Sequence, residues 1–135
     1  MDKALVVELE KLIGRDAVVS DTTRLLSYES DALAMYSAPA ELVLLPKDTA
    51  EAAACMRLLA HYDIPIVPRG AGTGLTGGAR PIAGGVVVAT SRMRQVFEVH
   101  PEDGYARVGA GLVNIDLTHA CKSHDLFYAP DPSSQ

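Results

Sequence analysis

Tryptophan is absent from the sequence and cysteine is scarce, with only Cys55 and Cys121 present. Two thiols cannot staple a disulfide scaffold. Both fall in stretches that read as helices, which predicts small buried hydrophobes. His119 and His124 flank Cys121, but no second cluster completes the four-ligand set of a zinc site, so no metal is expected. Basic charge is in deficit: 12 Lys and Arg against 17 Asp and Glu leave −5 at pH 7. A nucleic-acid binder needs the opposite balance, because it must displace counterions from phosphates. No apolar run approaches the roughly 20 residues of a bilayer span. The start, Met1-Asp2-Lys3-Ala4-Leu5-Val6-Val7-Glu8, has neither the basic nor the long apolar region of a signal peptide, which makes the cytoplasm the expected compartment.

What the sequence does contain is enough apolar side chain for a core. It has 135 residues, 48% hydrophobic and 21% charged, the size and balance of one globular domain or part of one. Residues 1–37 read as a helical segment. Leu5, Val6, Leu9, Leu12 and Ile13 recur at helical spacing before Gly14, and Asp21 or Thr22 can cap a second short helix. Ser30 to Pro39 reads as irregular. From residue 38 the pattern changes. Leu42 to Leu45 is a short apolar run closed by Pro46, as in a buried strand. Asp48 or Thr49 can cap a helix to about Tyr62 whose inner face carries Ala52, Cys55, Met56 and Leu59. Ile64 to Val67 is a second apolar run, so strand, helix and strand predict a parallel β-α-β unit. Gly85 to Ala89 is a third buried strand. Val96 to His100 and Tyr105 to Gly109 alternate as half-buried strands around a Pro-Glu-Asp-Gly turn. Asn114 can cap a final helix to about Lys122.

Glycine is the informative residue. Five of the 11 glycines fall between Gly70 and Gly78. Gly72-Thr73-Gly74-Leu75-Thr76-Gly77 fits G-x-G-x-x-G literally, but the dinucleotide fingerprint needs a helix after it. Here Pro81 and Gly84 intervene, and a strand follows within seven residues of Gly78. A Walker A loop would need Lys and then Ser or Thr where Gly78 and Ala79 stand. A kinase loop would need a lysine in the next strand, which has none. What remains is a strand-loop-strand segment with many free backbone amides. Glycines let such a backbone approach a ligand closely, and successive N–H groups form an anion-binding concavity. Arg69, Thr73 and Thr76 are expected to add side-chain donors.

The stretch Pro68 to Gly78, PRGAGTGLTGG, resembles the first FAD-contacting loop of the vanillyl-alcohol oxidase and p-cresol methylhydroxylase type flavoproteins. Leu42 to Pro46, Ser91-Arg92-Met93 and Tyr128 to Ser134 match further segments of that family in order, covering about residues 38–135. The PDPSSQ ending is most similar to the flavin subunit of glycolate oxidase and the related D-lactate dehydrogenases. The resemblance implies an α+β (α/β) fold of the PCMH-type FAD-binding class: a parallel β-α-β first subdomain and the start of an antiparallel second one, with FAD between them. It implies that the main chain of Gly70, Ala71, Gly72, Thr73 and Gly74, beside Arg69, holds the pyrophosphate. Thr76, Gly77 and Gly78 would line the turn. Pro130, Asp131, Ser133 and Ser134 would approach the flavin from the other side. Some family members attach the flavin covalently through a loop histidine; Thr73 stands at that place, which implies non-covalent FAD.

The activity so implied is oxidation of a small 2-hydroxy acid, glycolate or D-lactate, by hydride transfer to FAD in the complete enzyme. Partner subunits of a glycolate oxidase complex, at the inner face of the membrane, are implied with it. The family's catalytic groups lie in a later substrate cap. No catalytic residue is therefore assigned, and His61, His100, His119 and His124 are read as surface or helix residues. The sequence is expected to be an N-terminal piece of a longer protein, inactive alone, a weak FAD binder and prone to associate through the unfinished sheet around Val96 to Gly109. The alternatives are a non-enzymatic nucleotide- or partner-binding module of the same fold, and another oxidase or synthase branch of the family.

Overall fold

Three helices begin where the short side chain of an aspartate satisfies free backbone amides. The computed structural model describes residues 1–130. Helix α1 (Lys3–Ile13) starts at Asp2, whose Oδ1 accepts from the Ala4 amide at 2.9 Å. It stops at Gly14, where φ is +86°. Its inner face is Leu5, Leu9 and Ile13, spaced four apart and buried. A 3-10 turn leads into strand β1 (Val18–Val19). Helix α2 (Thr22–Leu25) is capped by Asp21, whose Oδ1 accepts from the Arg24 amide at 3.0 Å, and a 3-10 turn extends it to Tyr28. Residues 29–42 are irregular up to strand β2 (Val43–Leu44).

Helix α3 (Thr49–His61) opens on Asp48, whose Oδ1 accepts from the Glu51 amide at 2.9 Å. Its buried residues are Cys55 and Leu59, whereas Met56 is 49% exposed. The expected inner face is thus too wide by Met56: one step around the helix from Cys55 already carries the side chain past the packed stripe. Strand β3 (Ile66–Arg69) follows, and strand β4 (Val86–Ala89) is buried at all four positions. Full burial of one such valine contributes about 1.5–3 kcal/mol.

The main sheet has the order β1-β2-β4-β3. Strand β1 runs antiparallel to β2, while β2 and β3 each pair parallel to β4, with Val43 opposite Val87 and Arg69 opposite Ala89. The parallel β-α-β unit is therefore present, but its two strands are not neighbours, because β4 fills the gap between them. Helix α1 packs on α3, and their buried faces join the strand side chains in one apolar cluster, so residues 1–37 share a single core with the main sheet.

Strands β5 (Val96–His100) and β6 (Tyr105–Val108) form the expected antiparallel hairpin, turned at Gly104 with φ +67°. His100 stacks on Tyr105 with ring centroids 4.6 Å apart, and Arg107 Nε donates to Glu98 Oε1 at 2.7 Å. That bond from the guanidinium holds the Glu98 carboxyl below its usual range. Helix α4 (Asn114–Cys121) follows. Its N-cap is Val113 and no side chain caps it, so Asn114 is the first helical residue and not the expected cap. Cys55 and Cys121 are both buried, and burial pushes the Cys55 thiol up to about 11.

Candidate functional site

The glycine loop leaves the sheet at the end of β3 and returns at the start of β4, two parallel neighbours, so its tip lies beyond the carboxyl ends of strands, where α/β sheets place ligands. Gly70, Ala71, Thr73 and Gly74 are exposed along it. Gly72, with φ +79°, and Gly77, with φ +74°, supply the left-handed turns. A β-carbon on Gly72 would overlap the Arg69 guanidinium, whereas one on Gly70 or Gly74 would meet nothing within 4 Å. Gly72 is therefore set by its own chain, and Gly70 and Gly74 leave room in front of the backbone.

Arg69, expected to offer donors to a ligand, is 8% exposed and engaged within the protein. Its Nη1 donates to the carbonyl oxygens of Ser30 at 2.8 Å and Ala79 at 3.3 Å, and its Nη2 to that of Ser27 at 3.3 Å. The guanidinium also lies 5.4 Å from the Tyr28 ring centroid, within cation–π range. Three of its five N–H donors are used in these bonds, and the residue borders the cleft.

The opposite wall is one that the sequence reading did not single out. Gly109-Ala110-Gly111 runs from β6 into α4 and is tied to the segment after β4. Gly109 N–H donates to the Gln95 carbonyl at 2.7 Å, Gly111 N–H to that of Met93 at 3.0 Å, and Thr90 Oγ1 to that of Ala110 at 3.2 Å. A β-carbon on Gly109 would overlap the Met93 carbonyl, and one on Gly111 the Thr90 carbonyl. The available signal was the G-A-G spacing itself, which repeats that of Gly70-Ala71-Gly72 and precedes a helix.

Between these walls lies a cleft of about 480 Å³, within the size range of small-molecule sites. It is lined by Gly70, Ala71 and Thr73 of the glycine loop, by Ala110 to Asn114 leading into α4, by Ser27 and Tyr28, and by Ser91 and Arg94. Arg94 Nε donates to the Ser91 carbonyl at 2.7 Å, leaving its terminal nitrogens uncommitted. Among the described residues, two arginines and no carboxylate line the cleft. Its positive field, open amides and uncapped α4 suit the phosphates of a nucleotide.

Not every expected site residue belongs to this cleft. Gly74, Thr76, Gly77 and Gly78 lie farther along the loop and are not among the residues lining it. Pro130 lies in a separate groove of about 270 Å³ with Thr118 and Tyr128, and Asn114 borders both that groove and the cleft. Asp131, Ser133 and Ser134 are outside the described residues. None of the four histidines lines the cleft; His100 borders a different groove.

The family described as "FAD binding domain" matches residues 40–135. The glycolate oxidase subunit GlcD of Escherichia coli (strain K12) is 40% identical over 111 residues, which are 82% of this chain and 22% of that protein. The D-lactate dehydrogenase of Anaerostipes hadrus is 32% identical over 109 residues, 80% of this chain and 23% of that one. The chain thus spans about a fifth of the length of these curated relatives. Among solved structures, p-cresol methylhydroxylase with substrate bound superposes with a TM-score of 0.77 at 20% identity, covering 91% of this chain and 25% of that one. The fold is that of the PCMH-type FAD-binding class, mixed α/β with a parallel sheet and an antiparallel one.

Proposed function

The chain belongs to the FAD binding domain family, and on that premise we propose that it forms one side of the cofactor site in a flavin-dependent oxidoreductase acting on a small 2-hydroxy acid. The observation that carries this reading is the cleft itself: open glycine-loop amides face a second glycine wall, with Arg94 beside them and no carboxylate among the described lining residues. The amides of Gly70, Ala71 and Thr73 bind and orient the pyrophosphate, with Gly74 following along the loop, and Arg94 on the flank balances its charge. Gly72 keeps the loop curled over Arg69; Thr76, Gly77 and Gly78 shape its return. Pro130, with Asp131, Ser133 and Ser134, approaches the flavin end. When bound, FAD supplies two-electron redox chemistry, and the chain orients it and excludes water from one of its faces.

A 2-hydroxy acid as substrate class rests on relatives named for glycolate and for D-lactate, which share the α-hydroxy carboxylate group. Partner subunits of a glycolate oxidase type complex and a cytoplasmic place, at the inner face of the membrane, belong to the same reading. Among the described residues, no helix is long and apolar enough to cross a membrane. The test is to mix the full-length protein anaerobically with glycolate, D-lactate, L-lactate and the deoxy analogues acetate and propionate. Bleaching of the flavin band by one of the first two is expected; bound flavin that no 2-hydroxy acid bleaches would remove the substrate class.

A further inference from the structure

The residues that fix the shape of the glycine loop lie partly outside the segment that the FAD binding domain family matches. That match begins at residue 40, yet Ser27 and Tyr28 line the cleft and three carbonyl-directed bonds of Arg69 reach Ser27, Ser30 and Ala79. The guanidinium sits where a β-carbon on Gly72 would be, so the loop backbone closes over it. It thereby bridges the end of α2, the start of the irregular segment and both arms of the loop. The planar fork of arginine can serve three acceptors in one plane, as the ammonium of lysine cannot. Burial makes the arrangement demanding: removing the donors would leave three carbonyls to find water or move.

We propose that Arg69 is a positioning residue that clamps residues 27–30 to the glycine loop, making this N-terminal segment part of the cofactor site. Holding the loop in its binding shape before the cofactor arrives lowers the ordering entropy that binding must offset, so loss of the clamp weakens binding through faster release. The proposal rests on the cofactor reading above, but its first consequence is measurable without cofactor. In the full-length protein, R69M is expected to raise amide exchange at least tenfold at Glu29, bonded to the Leu26 carbonyl, and at Arg80, bonded to that of Gly77, together, leaving β4 (Val86–Ala89) protected. R69K, which keeps the charge but not the fork, is expected to show the same pattern at smaller amplitude, and serves if R69M does not fold. FAD titration of the same proteins is expected to show affinity reduced at least tenfold in R69M, with partial recovery in R69K.

Exchange that rises at Arg80 but not at Glu29 would overturn the clamp, as would a rise in β4 as large as at Arg80, which marks a general loss of stability. Coupled local exchange with unchanged FAD affinity would overturn the role in the cofactor site. Coupled local exchange in a protein whose wild type takes up no FAD would retain the clamp and refute the cofactor reading instead.

Discussion

Gly111 lies with its α-carbon against the carbonyl of Thr90, while the Thr90 hydroxyl donates to the neighbouring Ala110 carbonyl at 3.2 Å. The second wall of the cleft is thus fastened to the end of β4 by backbone contact, with no space for a side chain. Gly111→Ala in the full-length protein is expected to destabilise it by about 1–3 kcal/mol, the usual cost of forcing a methyl group into packed structure. Urea unfolding followed by circular dichroism is the measurement. Gly104→Ala is the comparison: it strains a left-handed turn but meets no neighbour, and is expected to cost less.

Gly74 and Gly72 of the first loop separate folding from binding in the same way. Gly74 has ordinary backbone angles and nothing within 4 Å of a β-carbon, so Gly74→Val leaves the unfolding midpoint nearly unchanged but fills the space in front of the loop amides. Bound flavin per protein after gel filtration is expected to fall severalfold. Gly72→Val behaves differently, since φ is +79° and the Arg69 guanidinium occupies the site: both stability and flavin content fall.

These contrasts mark what the sequence made legible. The helix α1, the buried strand β4 and the β5–β6 hairpin follow from apolar spacing and turn chemistry, which are local. The glycine loop was visible because ordinary turns do not concentrate five glycines between Gly70 and Gly78. The Arg69 contacts were not visible, because their partners Ser27 and Ser30 are 42 and 39 residues away. Gly109 was read only as the end of a strand and Gly111 was not singled out, since the reason for each is a carbonyl on another segment. Met56 was placed inward because a helical stripe read from sequence has no fixed width.

Thr73 faces the cleft and offers no group that bonds covalently to a flavin under ordinary conditions. Acid precipitation of the full-length protein is expected to leave all flavin in the supernatant. A flavin-bearing peptide that spans Thr73 in the pellet would contradict non-covalent binding at this loop.

The start of α3 makes stability depend on acid. Burial tends to raise the Glu51 carboxyl, but the Lys47 amide and ammonium, each 2.9 Å away, outweigh it and hold the group below its usual value. A lowered carboxyl contributes stability that is fully present above its unfolded pKa, about 4.3, and is lost as pH falls through the folded value. Glu51→Gln is therefore expected to be less stable than wild type at pH 7, with the difference shrinking below about pH 4. Chemical denaturation at several pH values measures it.

The strand order also constrains the route by which the chain can fold. Strand β4 is made last of the four strands in the main sheet, yet it lies between β2 and β3, which never touch each other as ladder partners. Until Val86 to Ala89 emerge from the ribosome, β3 has no strand to pair with and β2 has only the short β1. The earlier part of the nascent chain can build the β1–β2 pair and dock α1 on α3, but it must keep an open slot for the incoming strand. Parallel pairing across such a slot closes long loops and is slow. Pairing of β4 with β3 necessarily closes the glycine loop that joins them, so the shape of the loop and the completion of the sheet are set together.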